Sequence, residues 1–139
     1  MAFTYQPPFT QTPKIAAVVL TAANTARDGS GTPSTAATIG SDGGYVKRVT
    51  FIASNATAGA VAAKVATLFY STDGGTTWRF FREIAMATAT NSTTAVGPIA
   101  IFSFPDGWVL PASAKVGCAI TVRGSAVDDT TVTVEYSDY

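Results

Sequence analysis

Histidine is absent from the 139 residues, and cysteine occurs once, at Cys118. Without histidine there is no imidazole for acid–base work near neutral pH and no histidine ligand for zinc. A lone cysteine cannot form an internal disulfide, which excludes a cross-linked secreted framework. Charge is scarce too: nine Lys+Arg stand against nine Asp+Glu, 13% of the chain, for a formal net charge of zero. A protein that binds nucleic acid by displacing counterions needs a cationic surplus, and none exists here. A disordered polyelectrolyte needs low hydrophobicity and high net charge, the reverse of this composition. The longest apolar run, residues 15–20, is far below the ~18 residues of a membrane-spanning helix. The stretch Met1-Ala2-Phe3-Thr4-Tyr5-Gln6-Pro7-Pro8 has no cationic start and no apolar segment, so it does not read as a signal peptide. A chain made in a cytoplasm is expected.

What is abundant is small. There are 24 alanines and 22 threonines. The length suits one domain. Residues 1–13 read as an extended arm, because Pro7, Pro8 and Pro13 remove amide donors and favour extended neighbours. Phe3, Tyr5 and Phe9 make that arm apolar, and it is expected to dock on a neighbouring subunit. From residue 14 onward the pattern is of strands and turns. Residues 14–20 form a short β-branched run, and 34–39 a weak strand. Residues 45–54, 61–70, 77–86, 96–104 and 108–110 follow. Val116, Cys118, Ile120 and Val122 alternate with polar or small residues, as do Val132, Val134 and Tyr136. Segment 77–86 alternates as Trp78, Phe80, Arg82 and Ile84 against Arg79, Phe81 and Glu83. Eight or nine short strands at about ten-residue spacing, with period-2 alternation, predict an all-β antiparallel β-sandwich. Whether it is a jelly roll or immunoglobulin-like is left open, because alternation carries no strand order. The domain is expected to span 14–139.

The residues with side chains able to carry chemistry mostly read as structural. Asp28, Asp42, Asp73 and Asp106 each precede Gly. That pairing suits turns, where Asp accepts nearby amides and Gly takes positive φ. Glu83 and Glu135 fall on outward strand positions. Asp128-Asp129 reads as a solvated turn, with Ca²⁺ binding as the less favoured alternative. Cys118 lies on an apolar strand face with no base to activate it, and serine lacks one too. Trp78 and Trp108 suit a core, although exposed they would form a sugar-stacking platform. No catalytic, cofactor or metal residues are expected, and the chain is not expected to be an enzyme.

Two resemblances follow from particular residues. Ser71-Thr72-Asp73-Gly74-Gly75-Thr76-Thr77-Trp78 resembles the Asp-box, Ser-x-Asp-x-Gly-x-Thr-Trp. In that motif the Asp ties a hairpin turn, the Gly permits the reversal and the Trp packs beneath. Asp73, Gly75 and Trp78 are therefore expected to build a structural hairpin. Sialidase-type propellers carry several copies, but one copy in a chain this short cannot make blades of about 40 residues each.

The second resemblance runs from about Gln11 to the end. It rests on Leu20-Thr21-Ala22-Ala23-Asn24-Thr25-Ala26-Arg27-Asp28-Gly29-Ser30-Gly31-Thr32 as an opening hairpin, then Arg82-Glu83-Ile84, Val109-Leu110-Pro111-Ala112 and Ser137-Asp138-Tyr139. In this order the segments are similar to small virion proteins of tailed bacteriophages, of the head decoration or cement type. The resemblance implies a β-sandwich on the outer capsid surface, made in the host cytoplasm, commonly trimeric, with the major capsid protein and itself as partners. Neither a membrane nor nucleic acid is implied. Small side chains suit this, since they order at interfaces at little entropic cost. Phe3, Tyr5, Phe9, Arg27 and Asp28 are the expected assembly contacts. The alternative is a carbohydrate- or receptor-binding module of a tail fibre or spike, which exposed tryptophans would favour.

Overall fold

A computed structural model describes residues 11–55, 59–92 and 94–139. Among them are ten strands and no helix: β1 (Thr12–Leu20), β2 (Ser34–Thr38), β3 (Gly44–Asn55), β4 (Gly59–Val61), β5 (Lys64–Ser71), β6 (Arg79–Met86), β7 (Ala89–Asn91), β8 (Ile99–Leu110), β9 (Lys115–Ile120) and β10 (Asp128–Asp138). One four-stranded sheet, A, has the order β1-β10-β3-β8, and a second, B, has β2-β9-β5-β6. β4 and β7 form a separate ribbon. Every pairing is antiparallel.

With the ribbon set aside, the pairings nest. β1 pairs with β10, β2 with β9, β3 with β8, and β5 with β6. One long antiparallel hairpin, wrapped on itself into two sheets, produces that order, and it is the jelly-roll topology. An immunoglobulin-like sandwich would keep its first two strands side by side in one sheet. Here β1 and β2 lie in different sheets.

The core fills the space between the sheets. From sheet A, Val18, Leu20, Val132, Val134, Val49, Phe51, Ala100 and Phe102 turn inward; from sheet B, Ala66, Leu68, Val116, Cys118 and Ile120. Each large aliphatic or aromatic group buried there contributes ~1.5–3 kcal/mol. Tyr70, Phe81, Phe104 and Trp108 close one end as an aromatic block, with Phe81 and Trp108 stacked at 4.2 Å and 9°. Burial drives the thiol of Cys118 up to about 12, which leaves it an inert core residue.

Several boundaries differ from the sequence reading. Strand β1 starts inside the segment 1–13, because Thr12 and Pro13 already pair with Asp138 and Ser137 on an edge strand that tolerates proline. Segment 61–70 divides into β4 and β5, which pair with different strands. In β6 a bulge opposite Leu68 and Phe69 breaks the alternation, so Phe81 joins the core while Phe80 stays exposed. Segments 96–104 and 108–110 belong to one strand, β8, in which Phe104 to Gly107 oppose the single residue Lys47. The Asp106–Gly107 pair thus shapes a wide bulge rather than a turn between strands. The stretch 20–32 is not a hairpin; it carries the chain from sheet A to sheet B.

Candidate assembly surface

The two outer faces of the sandwich are treated differently. On sheet B, Phe69, Trp78 and Ala119 form a second buried cluster. The Trp78 indole lies flush on Gly117 of β9, where an added Cβ would come within 2.5 Å of its ring. The connection 21–33 covers it from outside, with Gly29 against the Trp78 backbone. This cover is tied down at several points. The Asn24 amide donates to the Ile120 carbonyl at 2.8 Å, and Arg27 pairs with Glu83 at 2.7 Å. Asp28 accepts from the Ser30 amide and hydroxyl at 3.0 and 2.6 Å, which lowers its pKa. Arg27 and Asp28 are thus engaged within the chain, holding the cover in place.

The β5–β6 hairpin supplies Trp78. Asp73 accepts from the Thr77 amide at 2.8 Å and from the Ser71 hydroxyl at 2.7 Å. These bonds favour the carboxylate and bring its pKa down to about 2. Ser71 Oγ accepts in turn from the Gly75 amide at 2.9 Å. Gly74 and Gly75 both take positive φ, 75° and 93°, which the reversal demands. The arrangement positions a core tryptophan and offers no reactive group.

Sheet A has no such cover among the described residues. Its outer face runs in rows fixed by register: Val19, Thr131, Ile52 and Ile99; then Ala17, Thr133, Thr50 and Ile101; then Ile15, Glu135, Arg48 and Ser103. Ile15 is 74% exposed, Val19 51%, Ile52 41%, Ile99 51% and Ile101 48%. The only charges in these rows are Arg48 and Glu135, and they neutralise each other as an ion pair. Strands ~4.8 Å apart and rows ~7 Å apart make this face ~400 Å² in projection. Its five exposed Ile and Val side chains make it the apolar candidate for contact with another surface. The sequence reading missed it, although a signal was present. Residues 15–20 and 99–102 are apolar in both phases of the strand period, so both faces of β1 and β8 call for burial.

Asp128, Asp129 and Asp138 are occupied too. Asp128 opens β10 and is fully buried, not part of a solvated turn. Its Oδ1 accepts from Lys64 Nζ at 2.5 Å, and its Oδ2 from the amides of Ala62 and Gly124, each at 3.0 Å. Burial alone would raise its pKa; Lys64 and the two amides outweigh that and lower it. Asp129 points the other way and pairs with Arg123 at 2.7 Å. Adjacent strand positions face opposite sides, so the two carboxylates cannot converge on one Ca²⁺. Asp138 pairs with Lys14 and accepts from the Gly40 amide at 2.9 Å. Phe3, Tyr5 and Phe9 lie outside the described residues.

One cleft of ≈ 790 Å³ crosses the sheet A side beside the β8 bulge, lined by Tyr45, Lys47, Ser103, Asp106 and Tyr139 among others. Tyr45 donates to Gln11 Oε1 at 2.6 Å. Its walls mix aromatic rings with both signs of charge, which suits a neutral polar ligand. Neither tryptophan lines it: Trp78 is buried, and Trp108 is stacked within the aromatic block. No protein-family model matches this sequence, and no curated protein does.

Proposed function

We propose that the chain is a structural virion protein of the capsid-decoration type, which binds the outside of a phage head and bridges capsomers as a trimer. The observation that carries this reading is the contrast between the two outer faces. Sheet B is covered around Trp78 by the chain's own connection 21–33. Sheet A presents five exposed Ile and Val side chains among threonines to the outside, with one ion pair as its charge. Most of the acids are held by turns or basic partners, which favours a binding role over a catalytic one. Jelly rolls serve in viral shells and in lectins alike, so the fold itself favours neither binding role. In a trimer, three such faces act together on a shell and avidity replaces single-site strength.

Co-sedimentation with DNA-free phage shells tests the reading. Saturable pelleting is expected, and a deletion of residues 2–10 should weaken it if the arm contributes. A chain that stays in the supernatant at every concentration would remove the proposal. The alternative, a carbohydrate- or receptor-binding module, has the Tyr45–Tyr139 cleft in its favour. It predicts glycan binding that is lost on Tyr45→Ala.

A further inference from the structure

The four sheet edges are protected unequally. In sheet B, β6 carries Arg79, Arg82 and Glu83, and β2 has only five residues. Charges and short length are the usual defences of an edge. In sheet A the edges are β1 and β8, whose only charges are Lys14 near the start of one and Asp106 in the bulge of the other. Residues 15–20 of β1 and 99–104 of β8 hold no charged side chain.

The hydrogen-bond phase shows which backbone groups these edges present. The Ala53 amide donates to the Pro98 carbonyl at 3.1 Å, so Ala53 and Pro98 form a bonded pair. Bonded and non-bonded pairs alternate in an antiparallel ladder. Ile99, Ile101 and Ser103, opposite Ile52, Thr50 and Arg48, therefore point their N–H and C=O away from β3, out of the sheet. The same alternation carried through Ile52 and Thr131 directs the groups of Ile15, Ala17 and Val19 out of the opposite edge. Among the described residues no strand meets either set.

We infer that β8 of one copy pairs with β1 of the next, continuing sheet A from subunit to subunit. Because the four strands alternate in direction, a second copy in the same orientation brings its β1 antiparallel to β8 with no inversion. Row continuity sets the register: Ile99 opposite Val19, Ile101 opposite Ala17 and Ser103 opposite Ile15 of the neighbour. Each of these pairs faces outward on both sides, so they form about six backbone hydrogen bonds. Charge agrees with this register. Lys14 of the incoming strand, paired within its own chain with Asp138, arrives beside the bulge that bears Asp106, an exposed acid with no ionic partner among the described residues. A single edge of this length falls short of the ~800 Å² per partner of a stable dimer. A head-to-tail ring uses two edges per copy and closes without leaving either bare. The inference rests on the proposed function for its copy number and specifies the self-contact of that trimer.

Proline substitutions on the full-length chain test it. Ile101→Pro and Ala17→Pro each remove a donor that points outward, leaving the β3–β8 and β1–β10 bonds in place. Light scattering after gel filtration should find wild type oligomeric and each variant alone monomeric. Mixed equally, the two can make one β8–β1 contact but close no ring, so they should pair only at concentrations well above those at which the wild type assembles, and neither variant alone should pair at all. An oligomer that survives in one variant alone would show a two-fold β1–β1 or β8–β8 contact and overturn the head-to-tail pairing. A monomeric wild type at 100-fold above assay concentration would overturn it as well. If a proline variant fails to fold, Ile101→Lys and Val19→Lys replace the pair in the same mixing design, with the same outcomes. An assembled wild type that ignores shells would end the decoration reading and leave this one standing.

Discussion

Asp128→Ala is the most demanding perturbation of the fold. Asp128 and Lys64 are both fully buried and joined at 2.5 Å. The same carboxylate holds the amides of Ala62, ahead of β5, and Gly124, ahead of β10. Removing it leaves a buried ammonium unpaired, which costs ~3–5 kcal/mol. The two stranded amides bring the loss to ~4–6 kcal/mol, allowing for partial relaxation. A domain of this size has only ~5–15 kcal/mol in total. At ~3 °C per kcal/mol, the midpoint should fall by ~12–18 °C. Urea unfolding followed by the fluorescence of Trp78 and Trp108 measures this directly. The double variant Lys64→Met, Asp128→Leu removes both charges and should recover much of the loss, because an apolar pair replaces a buried ion pair at little cost. A single variant that loses under ~1 kcal/mol, or a double variant no better than the single, would refute the reasoning.

Other outcomes follow from packing and charge. Gly117→Ala drives a methyl into the Trp78 ring and should destabilise by ~1–3 kcal/mol in the same urea assay; a neutral result would mean the indole is not seated on β9. Thr130→Val should raise stability by ~1 kcal/mol, because the Thr130 hydroxyl is buried without a partner. A loss there would indicate that the hydroxyl is bonded. The acid limb of stability is set by Asp73, Asp128, Asp138 and Glu135, whose pKa values are all lowered in the fold. Groups of this kind stabilise above their unfolded values and cease to do so as pH falls through the folded ones. The melting temperature should therefore hold from pH 7 to about 5 and drop between about 4 and 2, the lower end marked by Asp73. A steep change between pH 6 and 7 would contradict this in a chain without histidine.

Local patterns were legible in the sequence and long-range ones were not. The alternation of Val132, Val134 and Tyr136 identified β10 and its inner face, because period 2 is a property of a single strand. Asp-Gly pairs marked turns because turn chemistry is local. The same rule misled at Asp106–Gly107, where the positive φ serves a bulge inside β8. In β6, alternation failed at a bulge whose position depends on the partner strand, so Phe80 and Phe81 exchanged roles. The ribbon strand β7, Ala89–Asn91, has no apolar pattern and escaped notice. Asp128 looked solvated beside Asp129, since its partner Lys64 is 64 residues away in sequence. Strand order was unreadable for the same reason: the pairing that decides it joins Thr12 to Asp138. The open face of sheet A was legible in part, as a strand apolar in both phases, but its extent emerges only when four strands are set in register.

The central claim, that the outer face of sheet A is what binds a shell, is tested by Ile52→Lys. Ile52 sits in the interior strand β3, outward and 41% exposed, away from both edges. The substitution should leave the melting temperature and the oligomeric state unchanged and abolish co-sedimentation with DNA-free shells. Undiminished pelleting of the folded variant would contradict the account.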